Sequence, residues 1–216
     1  MSGGGEELLP VVVTPRLRLR CWRPSDAAAL SANMTSKVSR WLSSWPDPTS
    51  TELALQRIVE ARAGVCEGWH VSYAIERLAD GLVIGGFGGG ARDQRTRVEI
   101  GYHLAEAAHG QGYMGEAAQA GLSALWSLLP AAETIEAQAH PDNAASRAIL
   151  TKLGMRLLAS GQSSLPRGAP GSPAAGTRLT GLADQRRSQF RFRSVLARLV
   201  QISLHPREQV LEHRRR

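Results

Sequence analysis

The sequence predicts a mixed α/β (α+β) domain over residues 1–160, a largely antiparallel sheet flanked by helices, followed by an atypical basic C-terminal extension. Three observations predict it. Strand-like and helix-like runs follow one another in the order strand, two helices, three strands, helix, strand, helix. The first two of the three central strands are separated by the turn signal Ala79-Asp80-Gly81, which points to hairpins in the middle of the sheet. Beyond Gly161 the chain changes to Ser, Pro, Gly, Ala and Arg, a composition that does not continue the pattern.

Taken in order, Val11–Trp22 alternates apolar and basic residues from Leu17 onward and reads as a half-exposed strand. Arg16, Arg18 and Arg20 would share its outward, solvated face. After Pro24, Ser25 or Asp26 can cap a helix through Ala27–Met34. Trp41 and Trp45 flank a turn-rich stretch ending at Pro48, and Thr51–Ala63 then has helical periodicity. His70–Arg77, Leu82–Gly89 and Arg97–Leu104 read as three strands. Gly115–Leu129 is the strongest helix, with apolar Ala118, Leu122, Leu125 and Leu129 on one face. Thr134–Ala139 reads as a strand, and Asn143–Leu153 as a helix stopped by Gly154.

The 216 residues suffice for one large domain or for a domain with an appendage. No apolar run approaches the length of a membrane span, and MSGGGEELLP lacks the basic start and apolar stretch of a signal peptide. Two cysteines, Cys21 and Cys66, suit free thiols in a reducing compartment, so a cytoplasmic location is expected. The net charge of +7 is unevenly placed. Residues 1–160 carry 15 Lys+Arg against 16 Asp+Glu, and residues 161–216 carry 11 Arg against 3 acids, giving −1 and +8. Nucleic-acid binding by the whole protein therefore does not follow from its basic pI.

The most informative stretch is Glu99–Ala118, where a strand, a short loop and Gly110-Gln111-Gly112 lead into a helix. Glycines there let successive N–H groups turn into one concavity, and a helix N-terminus adds unpaired donors and partial positive charge. The combination suits a phosphate or pyrophosphate without requiring a lysine. Gly110–Gly115 also matches G-x-G-x-x-G, but a dinucleotide turn follows its strand almost directly within parallel βαβ units, and here about five residues intervene. A glycine-rich helix start that binds nothing is the remaining alternative.

Three segments in order carry a resemblance. Thr14–Leu30, EIGYHL followed by HGQGYMGEAA, and His140–Met155 resemble successive motifs of the GNAT acetyltransferase superfamily, within it the ribosomal-protein alanine N-acetyltransferase (RimJ/RimL-like) branch. The resemblance covers roughly residues 12–158. It implies acetyl-coenzyme A (acetyl-CoA) as cofactor, with pyrophosphate on the N–H groups of Gln111, Gly112, Tyr113, Met114 and Gly115. It implies a pantetheine arm against Tyr102, His103 and Leu104, and Asn143 at the pantetheine amides. Met114 stands where Gly or Ala is usual, which would narrow the turn, and Gly115 where Thr or Ser is common. Asn143 also reads as a plain helix N-cap.

Acetyl transfer to an amine requires deprotonation of the amine, stabilisation of an oxyanion and a proton for the departing thiolate. Glu99 resembles the glutamate base of parts of the superfamily, with a solvent-facing strand carboxylate as its alternative. Ser146 resembles the acid near the thiolate in this branch, against a helical serine bonding its own backbone. His103 and His140 are weaker acid–base candidates, and Tyr113 suits packing. Histidines and cysteines show no ligand spacing, so no metal is expected. The acceptor implied is a primary amine, either a protein N-terminus or a small molecule, with Trp41, Trp45, Pro46 and Trp69 at the cleft or in the core.

The expected organisation is a catalytic domain over 1–160, a linker or disordered stretch over 161–180 and a basic segment over 181–216, helical or disordered. Arg186, Arg187, Arg191, Arg193 and Arg198 are either an exposed cationic face or an RNA- or ribosome-contacting arm, which leaves a non-catalytic CoA-binding or ribosome-associated module as the competing function. Eleven Arg with no Lys is also what a G+C-rich gene yields out of frame. Under either reading the two strands that close this fold are expected to be missing, which would expose an edge and favour a homodimer or another partner chain.

Overall fold

In the computed structural model the described residues are 8–92, 96–157 and 162–166. The chain divides between Leu179 and Thr180, and every described residue belongs to the first unit. The elements are β1 (Val12–Val13), β2 (Leu17–Cys21), α1 (Ala27–Asn33), α2 (Ser36–Ser39), α3 (Thr51–Cys66), β3 (His70–Arg77), β4 (Val83–Arg92), β5 (Arg97–Leu104), α4 (Tyr113–Leu128), β6 (Thr134–Gln138), α5 (Ala144–Lys152), β7 (Arg156–Leu157) and β8 (Gln162–Pro166). One sheet holds all eight strands in the order β1-β2-β3-β4-β5-β6-β8-β7. Only β5 and β6 pair in parallel; the other neighbours are antiparallel.

Helices cover both faces. On one, Leu122 and Leu125 of α4 and Leu150 of α5 pack over Leu19, Ile75, Phe87, Val98 and Ile100. On the other, Leu30, Val38, Ala54 and Ile58 enclose Trp22 and Ala74. The β4 sequence VIGGFGGGAR sets how close α4 comes. A methyl group at Gly121 would overlap the Phe87 ring, and one at Gly89 would lie 2.7 Å from Leu125 Cδ1. Helix and strand therefore meet knob into hole, where added volume could only strain the contact.

Two expectations are corrected. The row of arginines on β2 is not one solvated face. Arg20 is 4% exposed and donates from Nε to Glu76 (2.7 Å) and from Nη1 and Nη2 to Asp26 (2.8 and 3.0 Å). Arg18 reaches Glu76 Oε1 at 2.6 Å, and Arg16 turns to α4. Strand spacing assigns these residues to a face correctly, but α1 and α3 cover part of it, so charge is buried there only because it is paired.

The second correction concerns the closing strands. β7 and β8 pair antiparallel, and β8 enters between β6 and β7 with a five-residue register, Thr134↔Pro166 to Gln138↔Gln162. QSSLP has little strand character of its own, but any extended backbone can pair the N–H and C=O groups of β6. Proline falls at the end of the strand, where a missing donor costs least. The open edge expected beside β6 is therefore occupied, and the linker predicted from 161 gives way to a strand over 162–166. The predicted basic segment lies outside the described residues.

Truncation tests this placement. A chain ending at residue 160 loses the backbone partners of β6 and should be less stable than one ending at 170 by about 3–5 kcal/mol, at ~1 kcal/mol per net backbone hydrogen bond. Urea unfolding of the two chains measures it, and equal midpoints would contradict the placement.

Candidate functional site

The glycine turn forms as its composition predicts. Gly110 and Gly112 have φ of +74° and +78°, a region that only glycine enters without strain. Gly112 is the left-handed N-cap of α4 and offers no side chain to the helix, whose first donors are left to an external acceptor. Met114 does not narrow the turn. Its side chain is 6% exposed and sits in the core beneath α4, which leaves its N–H in the concavity. No atom lies within 4 Å of a methyl group built on Gly115, so the helix start is open there.

Arg16 and Glu116 set the turn in place. Glu116 Oε1 accepts from Thr14 Oγ1 (2.6 Å) and Arg16 N (3.0 Å), and Oε2 from Arg16 Nε (2.7 Å). Arg16 Nη1 donates to the Gln111 carbonyl at 2.9 Å, and the guanidinium lies 4.5 Å over the Tyr113 ring. Tyr113 thus takes the packing role expected of it. Burial alone would raise the Glu116 carboxyl, but the hydroxyl and guanidinium bonds outweigh it and hold the pKa below the ordinary value. Sequence reasoning missed this pair; a carboxylate in the first turn of a glycine-capped helix, with an arginine just ahead of β2, was its only signal.

Beside the turn the sheet opens. Parallel pairing of β5 and β6 stops at Ile100↔Ala137, yet β5 continues to Leu104 while β6 ends at Gln138. Pro141, which has no N–H, and the turn closed by Asn143 N to His140 O (2.9 Å) carry the chain away into α5. Among the described residues, Gly101–Leu104 thus has β4 on one side and a notch on the other. His109 Nε2 meets the Leu104 carbonyl at 3.0 Å and fixes the far end.

The two predicted chemical residues lie on opposite faces of this notch. Tyr102 points to the α4–α5 face, where its hydroxyl is 2.8 Å from Ser146 Oγ. Burial raises the Tyr102 pKa, and the Ser146 bond only partly offsets it. Asn143 Oδ1 accepts from Ser146 N at 3.0 Å, so the side chain does act as N-cap and holds Ser146 in the first turn of α5. Glu99 pairs across from Gly90 and therefore shares the other face, with Gly101 and His103.

That face is a cleft of about 820 Å³, running from Trp22 and Trp45 past Glu99 to His140 and Pro141. His103 lies in it beside Trp22 (ring centroids 6.3 Å apart) and Trp45 (6.5 Å), with its Nε2 buried and unpartnered. Burial pushes its pKa down to about 4, with no charged neighbour contributing. At the mouth Trp41 leans on the exposed His140 at 5.6 Å. Among the described residues no cluster of His, Cys, Asp or Glu could hold a metal ion, and no helix is long and apolar enough to cross a membrane.

Residues 16–156 match the family model described as an acetyltransferase (GNAT) domain. Among solved structures, a RimL ribosomal L7/L12 alpha-N-protein acetyltransferase superposes with a TM-score of 0.63 at 20% identity, over 77% of this chain and 98% of that one. RimJ of Mycobacterium smegmatis, solved with a CoA-disulfide, gives 0.60 at 23% identity over 73% and 85%. A GNAT-family acetyltransferase from Bacillus anthracis gives 0.60 at 17% identity over 72% and 98%. No match is found among curated proteins. At these identities the likeness to the solved structures is one of fold.

The depressed His103 pKa has a consequence for stability. Between about pH 6.5 and 4 the unfolded chain binds a proton that the folded chain does not, so stability falls as pH falls through that window. His103→Asn should flatten the dependence, as read from urea midpoints at pH 4.5 and 7. An unchanged slope would place the imidazole in contact with water.

Proposed function

Since the chain belongs to the GNAT acetyltransferase family, we propose that it transfers the acetyl group of acetyl-CoA to a primary amine by direct attack in a ternary complex. The observation that carries the reading is the notch: it joins an anion-binding turn on one face of the sheet to an acceptor-sized cleft on the other. The donor set fits the cofactor. Backbone N–H groups of Gln111, Gly112, Tyr113, Met114 and Gly115 would hold the pyrophosphate, and the free edge at Tyr102, His103 and Leu104 the pantetheine amides. Asn143 contributes through its side-chain N–H donors, because its Oδ1 serves α5.

Acetyl-CoA supplies an activated thioester, and the chain's own residues supply position and protons. Glu99, on the cleft face, takes the proton from the incoming amine at its carboxylate, directly or through water. Ser146 Oγ, held by the N-cap and hydrogen-bonded to Tyr102, stands on the opposite face to return a proton to the departing sulfur. A backbone N–H on the free edge of β5 would meet the developing oxyanion. The two proton-handling groups are thereby separated by the sheet, which prevents a short circuit between base and acid.

Two outcomes are expected. Gly112→Val forces a β-branched residue to φ +78° and places its Cβ about 3.5 Å from Arg16 Nη2. CoA affinity by calorimetry should fall by about 100-fold, equivalent to losing one or two charge-assisted hydrogen bonds. Unchanged affinity would remove the turn from the cofactor site. Glu99→Gln and Ser146→Ala should each lower kcat by about 10²-fold or more with CoA affinity retained, followed by thiol release. Full turnover in both would mean that positioning alone drives the reaction.

A further inference from the structure

On the face of the sheet that carries Glu99, the middle of β4 presents glycines instead of side chains. Gly86, Gly88 and Gly90 of β4 point to it, and Gly88 pairs across from Gly101 of β5. Trp22 and His103 cover Gly86, so Gly88, Gly90 and Gly101, on two central strands, form an open backbone floor. Gly101 is open above: no protein atom lies within 4 Å of a methyl group built there. Tryptophans wall this floor. Trp22 and Trp45 stand at the His103 end, Trp69 borders Gly90, and Trp41 overhangs the mouth. The chain has five tryptophans, and four of them are spent on this cleft.

Charged side chains are few among the residues that line the slot. Arg57 and Glu60, on the α3 wall, pair with each other at 3.5 Å. His103 is uncharged at physiological pH. Glu99 is the carboxylate of the floor, and it sits at the notch, where an amine would react. A peptide lying here would bury its own N–H and C=O groups against indole rings. β4 could not satisfy them, because it is already paired on both edges, and the free edge of β5 would be taken by the pantetheine amides. A polycation would find two carboxylates among the lining residues, Glu60 and Glu99, and Glu60 already faces Arg57. A flat apolar ring loses nothing on this floor and gains contact with the tryptophans.

We propose that the acceptor is an arylalkylamine: an uncharged aromatic ring lies on the glycine floor between the tryptophans, and a short alkyl chain carries its amine to Glu99 at the notch. The inference rests on the acetyl-transfer reading for the direction of the amine, but the slot is testable by binding alone. Calorimetry on CoA-saturated full-length protein, with tryptamine, spermidine and an alanine-initiated tetrapeptide as probes, decides it.

Tryptamine should bind about 30-fold more tightly than either other probe, as expected for two added aromatic contacts. Trp45→Ala should weaken tryptamine about tenfold, through one lost aromatic face. Gly101→Val, whose side chain enters the open floor, should abolish tryptamine binding while the urea midpoint stays near that of the parent chain, which reports that the variant is folded. Tryptamine binding no tighter than the peptide or spermidine, or binding indifferent to both substitutions, overturns the proposal. Tight tryptamine binding without acetylation would uphold the slot and sink the transfer reading. Acetylation of the peptide with no tryptamine binding would do the reverse.

Discussion

A central strand built largely of glycine is the constraint on which the rest of this structure depends. At Gly89 the absence of a Cβ admits Leu125, and the Phe87 ring fills the space that Gly121 leaves on α4. The helix therefore settles deep against the sheet. Its N-terminus is then held by Arg16 and Glu116, from the bend before β2 and from α4 itself, a hundred residues apart. On the opposite face the same glycine-rich strand leaves a floor instead of a wall. One composition thus permits close packing on one side and an open cleft on the other.

Placement of charge follows a common logic. Where the fold must bury a guanidinium, it surrounds it: Arg20 meets two carboxylates and the Cys21 carbonyl. The arrangement costs desolvation and recovers it through geometry, so removing one partner harms more than replacing the set. At the notch the fold does the contrary and, among the described residues, leaves backbone donors without a strand or cap partner, at the start of α4 and along Gly101–Leu104.

Much of this was legible in the sequence, for stated reasons. His70–Arg77 and Arg97–Leu104 are read to the residue because polar and apolar side chains alternate and charged residues bound them. The turn at Gly110–Gly112 is read because its backbone demands glycine. Ser36–Ser39 escapes because four residues are too few to show a period. Gln162–Pro166 escapes because a strand inserted between two others takes its conformation from them. The Tyr102–Ser146 contact joins positions 44 apart, and spacing along a chain carries no signal at that range. The arginines of β2 show the limit most plainly: periodicity assigns a face and is silent on what covers it.

The loop bearing Trp41 and Trp45 is tied to the site through Glu106. Glu106, just ahead of the glycine turn, accepts from the Thr35 hydroxyl and pairs with Lys37 Nζ at 2.9 Å. The Lys37 side chain is 76% exposed, so its half of this tether is screened by salt, whereas the Arg16–Glu116 link is reinforced by a buried-side hydroxyl and a backbone donor. Ionic strength therefore acts unequally on the two halves of one site. Raising it loosens the aromatic loop over the cleft before it loosens the glycine turn.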